Sequence, residues 1–225
     1  TSSDLTKATV GSATGIATGV ATGTANITYT MPTGCFAVQP MTVNPNPVAI
    51  AGTFTVCTGA NTTLTDATSG GSWTSSNTGI ATVGAGTGIV GGVSTGVATI
   101  TYTLGTGCFA TQAVTVNPSP VADAGNDTMI CAGNTLQIGG NPTASGGTPG
   151  YTYNWNSSPV QTTSTANNLH GNHTYTVIVT DANGCTASTS IAISEPALLT
   201  ASSSATAILC NGGTSTITIS ANGGT

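Results

Sequence analysis

The chain has 225 residues, a formal net charge of −5 and only 3% charged residues, where an ordinary soluble domain carries about a quarter. Lys7 is its one cation, against Asp4, Asp66, Asp123, Asp127, Asp181 and Glu195, which excludes phosphate-neutralising nucleic-acid patches and polybasic membrane surfaces. No apolar run approaches the roughly 18–20 residues of a spanning helix, and threonine and glycine dominate while strong helix formers are nearly missing, so strands and turns are expected throughout.

From its first residues the chain repeats itself at an offset of 73. Ala8-Thr9-Val10-Gly11 recurs as Ala81-Thr82-Val83-Gly84, and Ile27-Thr28-Tyr29-Thr30 as Ile100-Thr101-Tyr102-Thr103. Thr33-Gly34-Cys35-Phe36-Ala37 recurs as Thr106-Gly107-Cys108-Phe109-Ala110, and Thr42-Val43-Asn44-Pro45 as Thr115-Val116-Asn117-Pro118. A match in register without a gap is the signature of tandem domains. The stiff Asn44-Pro45-Asn46-Pro47 and Asn117-Pro118-Ser119-Pro120 segments read as linkers, because alternate prolines fix φ and favour an extended path. With a third boundary at Ser194-Glu195-Pro196, the chain divides into a partial repeat 1–46, full repeats 47–119 and 120–196, and a partial repeat 197–225.

Within the repeats, period-two alternation predicts strands. Over 98–104 the large apolar residues share one face and threonines the other; Val114 and Val116 follow. Tyr151, Tyr153 and Trp155 line one face of a strand, as do Tyr175, Val177 and Val179, then Ile191 and Ile193, then Ile217 and Ile219. Asp181-Ala182-Asn183-Gly184 reads as a turn organised by its aspartate. Such regular alternation is incompatible with a disordered Thr/Gly/Ser coil. The expected fold class is all-β: tandem small immunoglobulin-like antiparallel β-sandwiches.

Six cysteines stand at 35, 57, 108, 131, 185 and 210. No CxxC and no histidine at ligand spacing accompanies them, so they read as disulfides of an oxidising, extracellular setting rather than a zinc site. Both full repeats show the order Cys…Trp…Cys, with Cys57, Trp73, Cys108 and Cys131, Trp155, Cys185. The favoured reading staples each repeat internally around a core tryptophan, Cys57 to Cys108 and Cys131 to Cys185. Cys35 and Cys210 then have partners outside the sequence, so that the chain begins and ends inside a repeat. The alternative pairs neighbours, 35 with 57, 108 with 131 and 185 with 210, leaving no orphan. An immunoglobulin-like topology bears on this choice, because it sets the first turn and the last hairpin at opposite ends of the sandwich.

Trp73-Thr74-Ser75-Ser76-Asn77, Ile80-Ala81-Thr82-Val83, Gly88-Ile89-Val90 and Gly96-Val97-Ala98-Thr99-Ile100-Thr101 resemble bacterial Ig-like group 2 domains, across most of 47–119 and the remnant 1–46. Gly150-Tyr151-Thr152-Tyr153-Asn154-Trp155, Tyr175-Thr176-Val177 and Val179-Thr180-Asp181-Ala182-Asn183-Gly184-Cys185 are similar to the PKD-like and SprB-type repeats of Bacteroidota surface proteins, without the usual acidic PKD turn. Cys210-Asn211-Gly212-Gly213 and Ala221-Asn222-Gly223-Gly224-Thr225 resemble the opening of another such repeat. The resemblance implies a very long secreted cell-surface protein, exported by a type IX system and used in adhesion or gliding. Asp127-Thr128-Met129 resembles the O-glycosylation motif of the same phylum, with Thr128 as the acceptor.

No catalytic constellation accompanies these motifs, and neither a metal nor another cofactor is expected. His170 and His173 read as exposed loop histidines, and Asp123, Asp127 and Asp181 are too scattered for a calcium cage. The threonines at 99, 101 and 103 read as a solvated sheet face rather than an ice- or sugar-binding ladder. N-glycosylation patterns at Asn26, Asn61, Asn126, Asn156 and Asn172 arise by chance in so Thr/Ser-rich a chain. The functional expectation is a non-enzymatic segment of a cell-surface adhesin or stalk, with surface glycans, other cells or substrata as partners. A self-assembling extracellular fibre is the second expectation, since edge-blocking lysines are nearly absent. A glycan-binding stalk module of a secreted enzyme is the third.

Overall fold

A computed structural model describes residues 1–224; Thr225, which closes the motif beginning at Ala221, lies outside the described residues. Every regular element among them is a strand, and the chain forms two compact units, Thr1–Val116 and Asn117–Thr225.

The first unit opens with two antiparallel hairpins, β1 (Ala8–Val10) with β2 (Ala17–Gly19) and β3 (Gly23–Thr30) with β4 (Phe36–Val43). Eight strands follow: β5 (Ala51–Gly52), β6 (Thr55–Cys57), β7 (Asn61–Thr65), β8 (Gly71–Ser75), β9 (Ala81–Val83), β10 (Ile89–Gly92), β11 (Gly96–Leu104) and β12 (Phe109–Asn117). They build two four-stranded sheets, ordered β5-β7-β10-β9 and β6-β12-β11-β8. The 73-residue offset carries β1 onto β9, β3 onto β11 and β4 onto β12, so sequence repetition is repetition of elements.

Alternation decides what the sandwich buries. Along β11, Ala98, Ile100, Tyr102 and Leu104 point inward, with Val114 and Val116 from β12 beside them. Leu64 and Val90 meet them from the other sheet. Trp73 packs on Tyr102 with ring centroids 4.6 Å apart and planes tilted 45°. The Tyr102 hydroxyl is not orphaned: it donates to the Thr68 carbonyl at 2.7 Å and accepts the Gly71 N–H at 2.9 Å. A Cβ at Gly71 would stand 2.5 Å from the phenol ring, so glycine is required where ring and backbone touch.

In the second unit the strands are β13 (Pro120–Ala122), β14 (Thr128–Met129), β15 (Thr135–Ile138), β16 (Ala144–Gly146), β17 (Thr152–Trp155), β18 (Ala166–His170), β19 (His173–Thr180) and β20 (Thr186–Ser194). A sheet ordered β14-β20-β19-β17 is accompanied by the pairs β13–β16 and β15–β18. Trp155, Val177 and Val179 are fully buried, with Tyr175, Ile191 and Ile193 around them, as their shared faces predict. Both tryptophans are core residues. A last hairpin, β21 (Thr200–Ala205) with β22 (Ile217–Asn222), is exposed along its length.

The architecture is the expected all-β, immunoglobulin-like sandwich, with one refinement. The pairing is not wholly antiparallel, since β14 runs parallel to β20, with Thr128 opposite Ile193 and Met129 opposite Ser194. The opening segment changes partner on the way. β13 pairs with β16, the chain turns at Gly125 with φ 94°, and β14 joins the last strand of the other sheet.

Candidate functional site

The cysteines depart from the favoured pairing. Cys57 and Cys185 are each disulfide-bonded, whereas Cys108 and Cys131, their expected partners, are free thiols, as are Cys35 and Cys210. The topology explains why neither internal staple forms. Cys57 ends β6, beside the far end of β12: the Thr115 N–H donates to the Phe54 carbonyl at 2.9 Å, and Cys57 O and the Val116 side chain both abut Gly92. Cys108 immediately precedes Phe109, where β12 begins. From Phe109 to Val116 an extended strand covers roughly 23 Å, while a disulfide needs Cα atoms within about 7 Å. The other full repeat has the same arrangement. The Ile130 N–H donates to Ser194 O at 3.0 Å, placing Cys131 by the end of β20, while Cys185 precedes the start of that strand at Thr186.

The carboxylates serve their own turns. Asp181 is buried and accepts three backbone N–H bonds, from Thr148 at 2.8 Å, Asn183 at 2.9 Å and Cys185 at 2.8 Å. Its burial raises the pKa, but the donors at Thr148, Cys185 and Asn183 together outweigh this and hold the carboxyl below the usual aspartate value. Asp123 accepts the Gly125 N–H at 2.8 Å, and Asp127 accepts the Ala192 N–H at 2.7 Å, pinning the opening segment to β20. No cluster of three or more histidine, cysteine or acidic residues that could hold a metal occurs among the described residues.

His170 ends β18 and His173 begins β19, both exposed on either side of Gly171-Asn172, and the Tyr175 hydroxyl donates to the His170 carbonyl at 3.2 Å. Thr128 lies in β14, half-buried, with its carbonyl accepting the Ser194 hydroxyl at 3.2 Å. Thr99 is exposed and Thr101 and Thr103 are half-buried on the face of β11 opposite the core. Asn26, Asn61, Asn126, Asn156 and Asn172 are all exposed. Sequence reasoning did not single out Tyr102 or Tyr175 as hydroxyl bridges; a tyrosine on the buried face of an alternating strand is the signal that points to such a role, because a buried phenol needs a partner.

No helix among the described residues is long and apolar enough to cross a membrane. The bacterial Ig-like domain (group 2) family matches residues 37–116. No curated protein matches the chain in sequence. Among solved structures, the chain is similar to domains 1–6 of the surface layer protein SbsC, with 21% identity over 98% of this chain and 29% of that one and a TM-score of 0.28. It is also similar to the C-terminal 282-residue fragment of intimin, solved with the intimin-binding domain of its translocated receptor, with 16% identity over 79% and 59% and a TM-score of 0.35. The N-terminal eight Ig domains of Down syndrome cell adhesion molecule give 12% identity over 91% and 38% and a TM-score of 0.28. The chain spans less than two thirds of each of these three. The matched family is an Ig-like module, and no enzyme family is indicated.

Proposed function

We propose that this chain is a structural segment of a secreted cell-surface adhesin or stalk, in which tandem Ig-like repeats act by spacing and multivalent display. The observation that carries the reading is the reuse of one element set at a fixed offset, with β1, β3 and β4 recurring as β9, β11 and β12 in the same order. Repetition of a stable sandwich multiplies weak contacts along a chain. Disulfide-bonded cysteines fit an extracellular setting. The division at 46, 119 and 196 rests on the repeat and on the proline-bearing boundaries, and the other finer assignments rest on resemblance: SprB-type repeats from residue 120, type IX export from a Bacteroidota cell, and glycosylation at Thr128. Surface glycans, other cells or substrata are the proposed partners.

A second reading, a fibre joined through sheet edges, is favoured by the exposed apolar face of β22, where Ile217 and Ile219 are 66% and 71% exposed. Electron microscopy of native material tests both. Isolated beaded threads are expected; lateral order between threads would replace the first reading with the second. The glycosylation proposal fails if intact-mass measurement on native protein returns the bare polypeptide mass.

A further inference from the structure

Three Asn-Gly dipeptides occur in the chain, all within the second compact unit: Asn183-Gly184, Asn211-Gly212 and Asn222-Gly223. Each carries a latent reaction, because glycine has no side chain to shield its backbone nitrogen from the amide carbon of the preceding asparagine. The reaction requires the peptide unit between the two residues to rotate, so that the nitrogen turns its lone pair toward Cγ. All three asparagines are exposed, and their hydrogen bonds distinguish them.

At Asn183 both reacting groups are committed. Its side-chain amide donates to Thr148 Oγ1 at 2.7 Å, its own N–H donates to Asp181 Oδ1 at 2.9 Å, and the Gly184 N–H donates to the Asp181 carbonyl at 3.0 Å. At Asn222 the strand is the clamp. The residue pairs with Thr200 across β21–β22, and its carbonyl accepts the Thr200 hydroxyl at 3.2 Å. The Gly223 N–H points at Asn222 Oδ1, 3.0 Å away, and a Cβ at Gly223 would collide with the Leu198 carbonyl. Rotation of that peptide unit is therefore blocked. Asn211 differs on every count. It sits with Gly212 at the centre of a turn closed by the Gly213 N–H on the Cys210 carbonyl at 3.0 Å, with Gly212 at φ 82°. Among the described residues neither the Asn211 amide nor the Gly212 N–H has a partner, and nothing lies within 4 Å of where a Gly212 Cβ would stand.

We propose that Asn211-Gly212 is a self-modification site, at which the folded chain closes a succinimide and opens it with water. The Gly212 nitrogen bonds Asn211 Cγ, the bond from Cγ to the amide nitrogen breaks, and ammonia leaves with the Gly212 proton. Water then adds to one of the two imide carbonyls, giving aspartate or isoaspartate. No electrons are exchanged. The consequence is electrostatic. Residues 196–225 contain no charged side chain, so the product places a carboxylate in the same loop as Ile208 and Leu209, which are 59% and 91% exposed. A stretch made without charged side chains thereby acquires one as the protein ages.

The test is incubation of the full folded chain in mildly alkaline heavy-oxygen water, followed by chymotryptic digestion and mass spectrometry. Amide-to-acid exchange with heavy oxygen is expected at Asn211 first, part of it as isoaspartate, while Asn183 and Asn222 keep their amides. In urea the three are expected to convert at similar rates, because the fold makes the difference between them. Asn211→Gln, whose longer side chain disfavours the same ring, should release no ammonia on the time scale of the parent. Conversion at Asn183 or Asn222 as fast as at Asn211 in the folded chain would overturn the proposal. So would an Asn211 amide that persists in the folded chain but converts in urea, or the same ranking of the three sites in urea.

Discussion

At the scale of single residues, most polar groups are spent on local backbone. Asp181 is the clearest case, a carboxylate whose two oxygens accept two N–H groups of its own turn, from Asn183 and Cys185, and a third from Thr148. Asparagine at this position offers one acceptor oxygen and an NH2 group, so at least one buried N–H loses its partner. Asp181→Asn is therefore expected to destabilise the second unit by about 1–3 kcal/mol, measurable as a lower midpoint in urea with an unchanged slope. The pH dependence has a definite sign. The folded pKa is depressed, so the stabilisation is complete above the unfolded aspartate value of about 3.9 and disappears as pH falls through the lower folded value. Thermal melts at stepwise lower pH should show the wild type losing stability below about pH 4, with a shallower loss in the variant. This role was legible in the sequence, because Asp-x-Asn-Gly between two alternating runs specifies a turn. The third donor, Thr148, was not legible, because it arrives from a loop 33 residues away.

At the scale of elements, identical local sequence gives different burial. Ile27-Thr28-Tyr29-Thr30 and Ile100-Thr101-Tyr102-Thr103 are the same four residues on equivalent strands, yet Tyr29 is 70% exposed and Tyr102 only 5%. The difference is the strand opposite: Tyr102 pairs with Trp73 of β8, whereas among the described residues β3 pairs with β4 alone and meets an isolated bridge at Ser2. Alternation therefore revealed the strands and their inward faces in both full repeats, because a period of two needs nothing beyond the segment itself. It could not reveal what covers those faces. The same limit governs the cysteines: their spacing was visible, but the parallel addition of β14 to β20, which separates Cys131 from Cys185, is a property of the assembled sheet. Gly71 offers a sharp test of the Trp73–Tyr102 contact. Gly71→Ala forces the phenol ring to move and breaks its hydrogen bond with the Gly71 N–H, so a loss of about 1–3 kcal/mol is expected. Tyr102→Phe, which keeps the packing and removes only the hydroxyl, should cost about 1 kcal/mol. If chemical denaturation places the two variants in the opposite order, the ring-to-glycine contact is not what fixes this corner.

Across the whole molecule, the near absence of charge sets how copies of the chain meet. With 3% charged residues there is little electrostatic steering and little to screen, so contacts between copies must come from apolar edges and backbone pairing. Among the described residues the β21–β22 hairpin has no third strand. Its Ile217 and Ile219 lie on one exposed face, and Leu198 and Leu199 just before β21 are 66% and 63% exposed. An unblocked edge beside such a patch is where lateral association would begin. Replacing Ile217 and Ile219 together by lysine puts two charges on that face, and β21–β22 can still pair because both side chains already face solvent. Sedimentation velocity at a series of concentrations should show a smaller concentration-dependent shift for the double variant than for the parent. The parent's shift should change little between about 50 mM and 500 mM salt, because the Debye length matters only where exposed charges dominate. A strong salt dependence in the parent, or association that is undiminished in the double lysine variant, would place the contact elsewhere on the chain. It would also remove the observation that favours a fibre over separate threads.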